Sequence, residues 1–100
     1  MGATKNNDYQ LEELKISLLC RAAAHPARVK ILDQLVAHPE GCRNMDLAKC
    51  LSFSRPTIKN HIDMMKDAGI IEVEYLPHFY RIYLNERGVN FVKLILSEAN

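Results

Sequence analysis

The chain has 100 residues, 48% of them hydrophobic and 25% charged, and its 13 Lys and Arg against 12 Asp and Glu give a net charge of +1. A chain of this length supports one domain with its own core, which excludes an enzyme built from separate cofactor and substrate domains. Because the charges balance, nucleic-acid binding would have to depend on a local basic patch. No apolar run approaches the ~20 residues of a membrane span, and we expect a soluble, cytoplasmic protein.

The first predicted helix follows a small, polar segment. We expect residues 1–7 to be disordered and residues 8–100 to form a single domain. From Asp8 onwards, leucines and alanines recur at the spacing of a helix with one apolar face. The members of this stripe are Leu11, Leu14, Leu18, Leu19 and Ala22.

His25 and Pro26 separate the first helix from a second one. Pro is favoured in the first turn of a helix, where its missing N–H has no partner to lose, and His25 is placed to cap that turn. The apolar residues that follow form one face, and we expect Arg28 and Lys30 to face water. Residues 38–41 have turn chemistry and end this helix.

A short helix, a tight turn and a longer helix come next. Helical spacing predicts the short helix over about 45–51, and residues 52–54 form the turn. Ser54 can cap the longer helix, which is predicted over about 55–68. Gly69 can adopt the left-handed conformation that commonly follows the end of a helix.

After Gly69 the pattern changes from that of a helix to that of a strand. Residues 70–75 and 79–84 are rich in β-branched and aromatic residues, and with residues 76–78 between them they predict a β-hairpin. An apolar helix starting near Glu86 completes the order α-α-α-α-β-β-α, a mainly α fold with a small β-hairpin. A short and a longer helix across a tight turn form a helix-turn-helix, and the hairpin would be its wing.

The longer helix has the two faces expected of a recognition helix, with Ile58, Ile62 and Met65 on the apolar side. Arg and Lys suit guanine, Asn suits adenine, and Ser or Thr can hold a phosphate. The predicted DNA-contacting residues are Ser54, Arg55, Thr57, Lys59, Asn60 and His61, the last at the edge of the core, with Lys49, Arg43, Lys66 and Arg81 as phosphate contacts.

Acidic residues oppose this assignment and keep an alternative open. Asp63 lies on the polar side of the longer helix, Glu72 and Glu74 lie in the first wing strand, and the tip at residues 76–78 has no Lys or Arg. Carboxylates repel phosphates, so we expect these groups to point away from DNA or to limit affinity. The alternative is a winged-helix module that binds another protein.

The stretch from Ala24 to Asn85 resembles the ArsR family of bacterial winged-helix repressors. The resembling segments, in the family's order and at nearly its spacing, are residues 24–32, 46–48, 51–62, 68–71 and 80–85. The resemblance implies a homodimer that pairs through its first and last helices, binds operator DNA and represses transcription. An apolar stripe on each of these helices supplies the predicted interface: Leu11, Leu14, Leu18, Phe91, Val92, Ile95 and Leu96.

The resemblance also implies where metal ligands would lie. Metal sensors of the family carry Cys-x-Cys at the start of the third helix, and those positions hold Arg43 and Met45 here. A cationic Arg cannot ligate a metal, and a lone thioether is a poor ligand for zinc. The family's second site uses Asp and His on the last helix, which has neither here, and we therefore expect no metal cofactor.

Three cysteines, Cys20, Cys42 and Cys50, leave a second alternative, a thiol- or metal-responsive regulator. An odd number without CxxC spacing argues against a disulfide framework and favours a reducing compartment. Free Cys is among the most buried residue types, so we expect inert packing. The sequence has no catalytic motif, and we expect no enzymatic activity.

Overall fold

A computed structural model describes residues 9–99, which form five helices and one three-stranded antiparallel sheet. The elements are α1 Leu11–Ala22, α2 Pro26–Ala37, β1 Cys42–Arg43, α3 Asn44–Leu51, α4 Arg55–Lys66, β2 Ile71–Tyr75, β3 Tyr80–Leu84 and α5 Glu86–Ala99. The predicted fold class, a mainly helical winged helix-turn-helix, is confirmed. None of the helices in this part of the chain is both long and apolar enough to cross a membrane.

The sheet contains a strand that the sequence pattern did not predict. β1 pairs with β3, with Cys42 opposite Ile82 and Arg43 opposite Arg81, and the sheet order is β1-β3-β2. The prediction of a two-stranded hairpin was therefore incomplete. Two residues are too few to show strand alternation, and β1 is defined only by its hydrogen bonds to a strand far along the chain.

The helix boundaries follow from local capping. Gln10 N donates to Glu13 Oε1 at 2.8 Å, and helix α1 begins at Leu11. The predicted start at Asp8 lies outside the described residues, as do residues 1–7. Helix α4 ends at Lys66, two residues before the predicted end. Gly69, which follows it, has a left-handed φ of +72° as expected.

Both predicted N-caps and the turn between the two helices are confirmed. His25 Nδ1 accepts a hydrogen bond from Ala27 N at 3.0 Å, and Ser54 Oγ accepts one from Thr57 N at 3.2 Å. These bonds satisfy backbone donors that a helix start leaves without partners. Three residues separate α3 from α4, and Ser52, the first of them, has a left-handed φ of 60°.

One core joins the helices to the inner face of the sheet, and it corrects two predictions. Arg28, expected to face water, is buried with 7% of its surface exposed. Val92, expected in a dimer interface, is 1% exposed inside the protomer's own core. The largest fully buried side chains are Ile31, Leu32, Leu35, Leu47, Ile58, Met65, Ile70, Ile82 and Val92.

Candidate nucleic-acid interface

Helix α4 has a buried side and a polar face. On the buried side, at most 2% of Ile58, Ile62 and Met65 is exposed. Arg55, Lys59 and Asn60 are exposed on the helix surface, and Thr57 beside them is half-buried. We call Arg55, Thr57, Lys59 and Asn60 the polar face of α4, because the buried stripe fixes which way they point.

The start of α4 favours an anion. Ser54 Oγ caps the helix and also donates to Thr57 Oγ1 at 2.8 Å, which holds the two hydroxyl groups together at the first turn. The first turn of α4 holds no acidic residue. The positive end of the helix dipole is therefore not neutralised locally, and a phosphate oxygen would be stabilised there.

A shallow groove of about 610 Å³ runs between α3 and the start of α4. Arg43, Lys49, Ser54 and Arg55 line it, so four of the predicted contact residues are brought together. Arg43 is partly committed, because its guanidinium donates to both oxygens of Asp46 at 2.8 and 3.1 Å. Lys49 and Arg55 supply the cationic charge of this groove.

Lys59 is paired within the polar face. Its Nζ donates to Asp63 Oδ2 at 2.8 Å, and both side chains are at least half exposed. The hydrogen bond and the charge of Asp63 raise the pKa of Lys59 above its ordinary value. Binding to a base or phosphate would therefore require Lys59 to share or leave this carboxylate.

Aromatic rings on the wing contact three of the predicted phosphate-binding side chains, those of Arg43, Lys66 and Arg81. The guanidinium carbons of Arg43 and Arg81 lie 5.5 and 5.8 Å from the centroid of the Phe79 ring. Lys66 Nζ lies 3.2 Å from the hydroxyl oxygen of Tyr75, which is 69% exposed. Sequence reasoning missed Phe79 and Tyr75, since the contact between Phe79 and Arg43 depends on the unpredicted pairing of β1 with β3.

His61 is separated from the polar face. Its Nδ1 lies 3.2 Å from a terminal nitrogen of Arg28, and its ring centroid lies 5.3 Å from that of His25 and 6.4 Å from that of Phe53. Burial, followed by the charges of Arg28 and His25, lowers the pKa of His61 below its ordinary value. The expected place at the edge of the core is confirmed, whereas a DNA contact by His61 stays a prediction.

The cysteines differ from one another in exposure. Cys42 is buried, as expected, but Cys20 and Cys50 are exposed, so the expectation of inert packing was wrong for these two. Cys42 and Cys50 line a cavity of about 360 Å³, whereas Cys20 is not among its lining residues. Burial is the main cause that raises the pKa of Cys42. Within residues 9–99, no group of three His, Cys, Asp or Glu side chains could hold a metal ion.

The predicted dimer residues lie on α1 and α5, at the surface or partly buried, with Val92 as the exception. Leu11 is 61% exposed, and Leu18, Phe91, Ile95 and Leu96 pack partly against the core. Two exposed residues that the sequence analysis did not single out, Ile16 and Leu94, extend the apolar surface of these helices.

Comparison with known proteins supports both the helix-turn-helix and the winged fold that contains it. The family described as a helix-turn-helix domain matches residues 23–74. The homodimeric winged helix-turn-helix DNA-binding domain of Mb0332 from Mycobacterium bovis, a possible ArsR-family regulator, superposes with a TM-score of 0.81 at 16% identity, covering 98% of this chain and 88% of that one. No curated protein sequence matches this chain.

Two further solved structures have the same fold. An ArsR family transcriptional regulator has a TM-score of 0.70 at 22% identity, with 90% of each chain covered. MepR from S. aureus, in a complex with DNA, has a TM-score of 0.68 at 22% identity, with 86% of this chain and 73% of that chain covered.

Proposed function

The chain belongs to the helix-turn-helix domain family and has the winged fold of ArsR-family regulators, and from this premise we propose that it is a homodimeric regulator that represses transcription by binding operator DNA. The observation that carries the proposal is the polar face of α4. Its side chains project from the N-terminal half of a helix whose opposite side is locked in the core. That is the geometry with which a recognition helix enters the major groove.

Arg55 and Asn60 are the proposed base-reading residues. Both are exposed, and Arg55 forms no ion pair among the described residues. An Arg guanidinium can donate two parallel hydrogen bonds to O6 and N7 of guanine, and an Asn amide can match N6 and N7 of adenine. Lys59 would also contact a base once its hydrogen bond to Asp63 is broken.

Phosphate contacts are proposed for the groove between α3 and α4. Lys49 and Arg43 line it, and the uncompensated start of α4 opens onto the same region. Lys66 and Arg81 would extend the contact towards the wing. Because the net charge is only +1, this local arrangement of cations must supply the attraction to DNA.

Dimerisation is proposed through α1 and α5. The support is the exposed apolar surface on these helices, including Leu11 and Leu94, together with the homodimeric state of the Mycobacterium bovis relative. A two-fold axis would place two α4 helices about 34 Å apart, which matches successive major grooves on one side of the duplex. The operator is then expected to be an inverted repeat.

The test is DNA binding by the whole protein to duplexes selected from a random pool. Specific binding should weaken by roughly 10³ to 10⁵ between about 50 and 200 mM salt if roughly 6 to 10 phosphates are contacted. Lys59→Ala combined with Asn60→Ala should weaken specific binding by about 10- to 100-fold, because two base contacts are lost.

The matched control is Lys30→Ala, which removes an exposed cation from α2 and should leave binding unchanged. Sedimentation and circular dichroism would verify that each variant keeps the dimer and the helices. If the folded dimer binds no duplex at low salt, the proposal fails, and the winged-helix protein-binding module becomes the better account.

A further inference from the structure

Arg28 is a buried cation that connects three helices. It belongs to α2, and its Nε donates to the backbone carbonyl of Arg21 at the end of α1 at 3.0 Å. One terminal nitrogen lies 3.2 Å from Nδ1 of His61 on α4. No ion pair of Arg28 occurs within residues 9–99, so in this part of the chain its buried charge depends on neutral acceptors.

His61 can accept this hydrogen bond only in one protonation state. The Arg28 guanidinium has no lone pair to offer, so it must be the donor and His61 Nδ1 must be the acceptor. The neutral ring therefore carries its proton on Nε2. A second proton on Nδ1 would remove the acceptor and place a cation against the guanidinium.

We propose that the Arg28–His61 pair positions the recognition helix α4 against α1 and α2 while His61 is neutral, and that protonation of His61 releases this contact and weakens DNA binding in acid. His61 is thus a positioning residue rather than a base contact. The inference rests on the proposed function only for its DNA readout, since the pairing itself can be measured on the free protein.

The surroundings of His61 offer nothing to stabilise an imidazolium. From α2, the groups that face it are Arg28 and His25, and both oppose a positive charge on the ring. From α1, Arg21 contributes its carbonyl to Arg28, and its side chain is exposed; from the turn before α4, Phe53 contributes an aromatic ring. Among residues 9–99, no carboxylate is one of the groups whose charge shifts the pKa of His61.

His25 lies beside His61 and has a structural role of its own. Its Nδ1 accepts the hydrogen bond from Ala27 N that caps α2. The ring lies 5.3 Å from that of His61. Burial and the charges of Arg28 and His25 all oppose a proton on His61, so the release of α4 is expected below the ordinary pKa of histidine.

The decisive experiment compares the pH dependence of DNA affinity in the wild type and in His61→Asn. The Asn Oδ1 occupies nearly the place of His Nδ1, so it keeps the acceptor for Arg28 but cannot be protonated. From about pH 7.5 to about pH 4.5, at constant ionic strength, wild-type affinity should fall by about fivefold or more, with most of the loss below the ordinary histidine pKa of about 6.5, and His61→Asn should not show this loss.

His25→Asn is the matched control, because Asn is a good N-cap and should preserve the start of α2. This variant should keep the acid loss, with its midpoint unchanged or at a somewhat higher pH, because one charge that opposes protonation of His61 is removed. An acid loss that persists in His61→Asn, or that disappears in His25→Asn alone, would overturn the proposal.

Nuclear magnetic resonance of the free protein tests the pairing without DNA. The imidazole of His61 should titrate below the ordinary histidine value, and Arg28→Met should raise its pKa, because the neighbouring cation is removed. If Arg28→Met does not fold, urea unfolding of the wild type and of His61→Asn is compared at several pH values instead. Wild-type stability should decline more than that of His61→Asn as the pH falls below 6.5, because the unfolded state takes up the proton first.

These readouts separate the two proposals. Absence of DNA binding at pH 7.5 with a depressed His61 pKa would reject the proposed function and the DNA consequence but keep the helix-positioning pair. Specific DNA binding with an ordinary His61 titration and no difference in pH response between wild type and His61→Asn would reject the pair alone.

Discussion

The ammonium of Lys59 donates to Asp63 Oδ2 at 2.8 Å across one turn of α4, beside the face that carries Arg55 and Asn60. Both partners are at least half exposed. An exposed pair one helical turn apart contributes little to stability, so its main effect concerns what else Lys59 can bind. A carboxylate on the surface that approaches phosphates also repels them.

Asp63→Asn is therefore predicted to tighten DNA binding by about two- to tenfold at low salt, because it frees Lys59 and removes a negative charge. The free energy of unfolding should change by less than about 0.5 kcal/mol. Titration of labelled duplex measures the first effect, and urea unfolding measures the second. Asp33→Asn, the same charge change on the exposed side of α2, is the control. Equal gains from the two variants would show that only net charge matters.

Gly88→Ala is predicted to destabilise the fold, although Gly to Ala inside an exposed helix usually gains about 1 kcal/mol. Gly88 is buried in the first turn of α5, where an added Cβ would meet Ile70 O and would lie 2.9 Å from Leu84 Cδ2. Overpacking against backbone costs about 1 to 3 kcal/mol, which outweighs the helix propensity.

Urea unfolding of Gly88→Ala should thus show a lower midpoint than the wild type. Asn90→Ala, an exposed substitution in the same helix, should leave the midpoint equal or slightly raised. A gain in stability from Gly88→Ala would mean that α5 can move away from Ile70 and Leu84 without cost.

Asn85→Ala is predicted to lower the free energy of unfolding by about 1 to 3 kcal/mol, because one side chain serves several partners. Asn85 Oδ1 accepts from Gly88 N at 2.8 Å and caps α5. Its Nδ2 lies 2.9 Å from Gly69 O and 3.0 Å from Glu72 Oε2. Chemical unfolding measures the loss, and Glu72→Gln should cost far less because Glu72 is exposed. Similar losses from both variants would assign the effect to Glu72.

The three thiols are predicted to alkylate at two different rates in the native protein. Cys20 and Cys50 are exposed, whereas Cys42 is buried with a raised pKa, which lowers its thiolate fraction. Iodoacetamide at neutral pH, read out by peptide mass spectrometry, should modify Cys42 at least about tenfold more slowly. In denaturant all three should react alike. Native Cys42 reacting as fast as Cys50 would contradict its burial.

The winged helix-turn-helix fold that the resemblance to the ArsR family implied is confirmed by the match to the helix-turn-helix domain family and by the fold itself. Local signals sufficed for most elements, because an apolar stripe, a Ser cap or a left-handed Gly acts within a few residues. The same local signals placed Asn60 opposite the buried stripe of α4 and Arg55 on its flank. The DNA-contact assignments themselves stay predictions.

What the sequence could not determine depends on partners distant along the chain. Charged residues such as Arg28 usually face water, and its burial follows only from the meeting of α1, α2 and α4 around it. Strand β1 exists because residues 42–43 pair with β3, and the same pairing brings the guanidinium groups of Arg43 and Arg81 to Phe79. The sequence by itself determined the order of helices and strands and the two faces of α4, since these arise from short-range periodicity. The tertiary structure alone decided which polar side chains are free, paired or buried, because hydrogen bonds and burial are set by segments that only folding brings together.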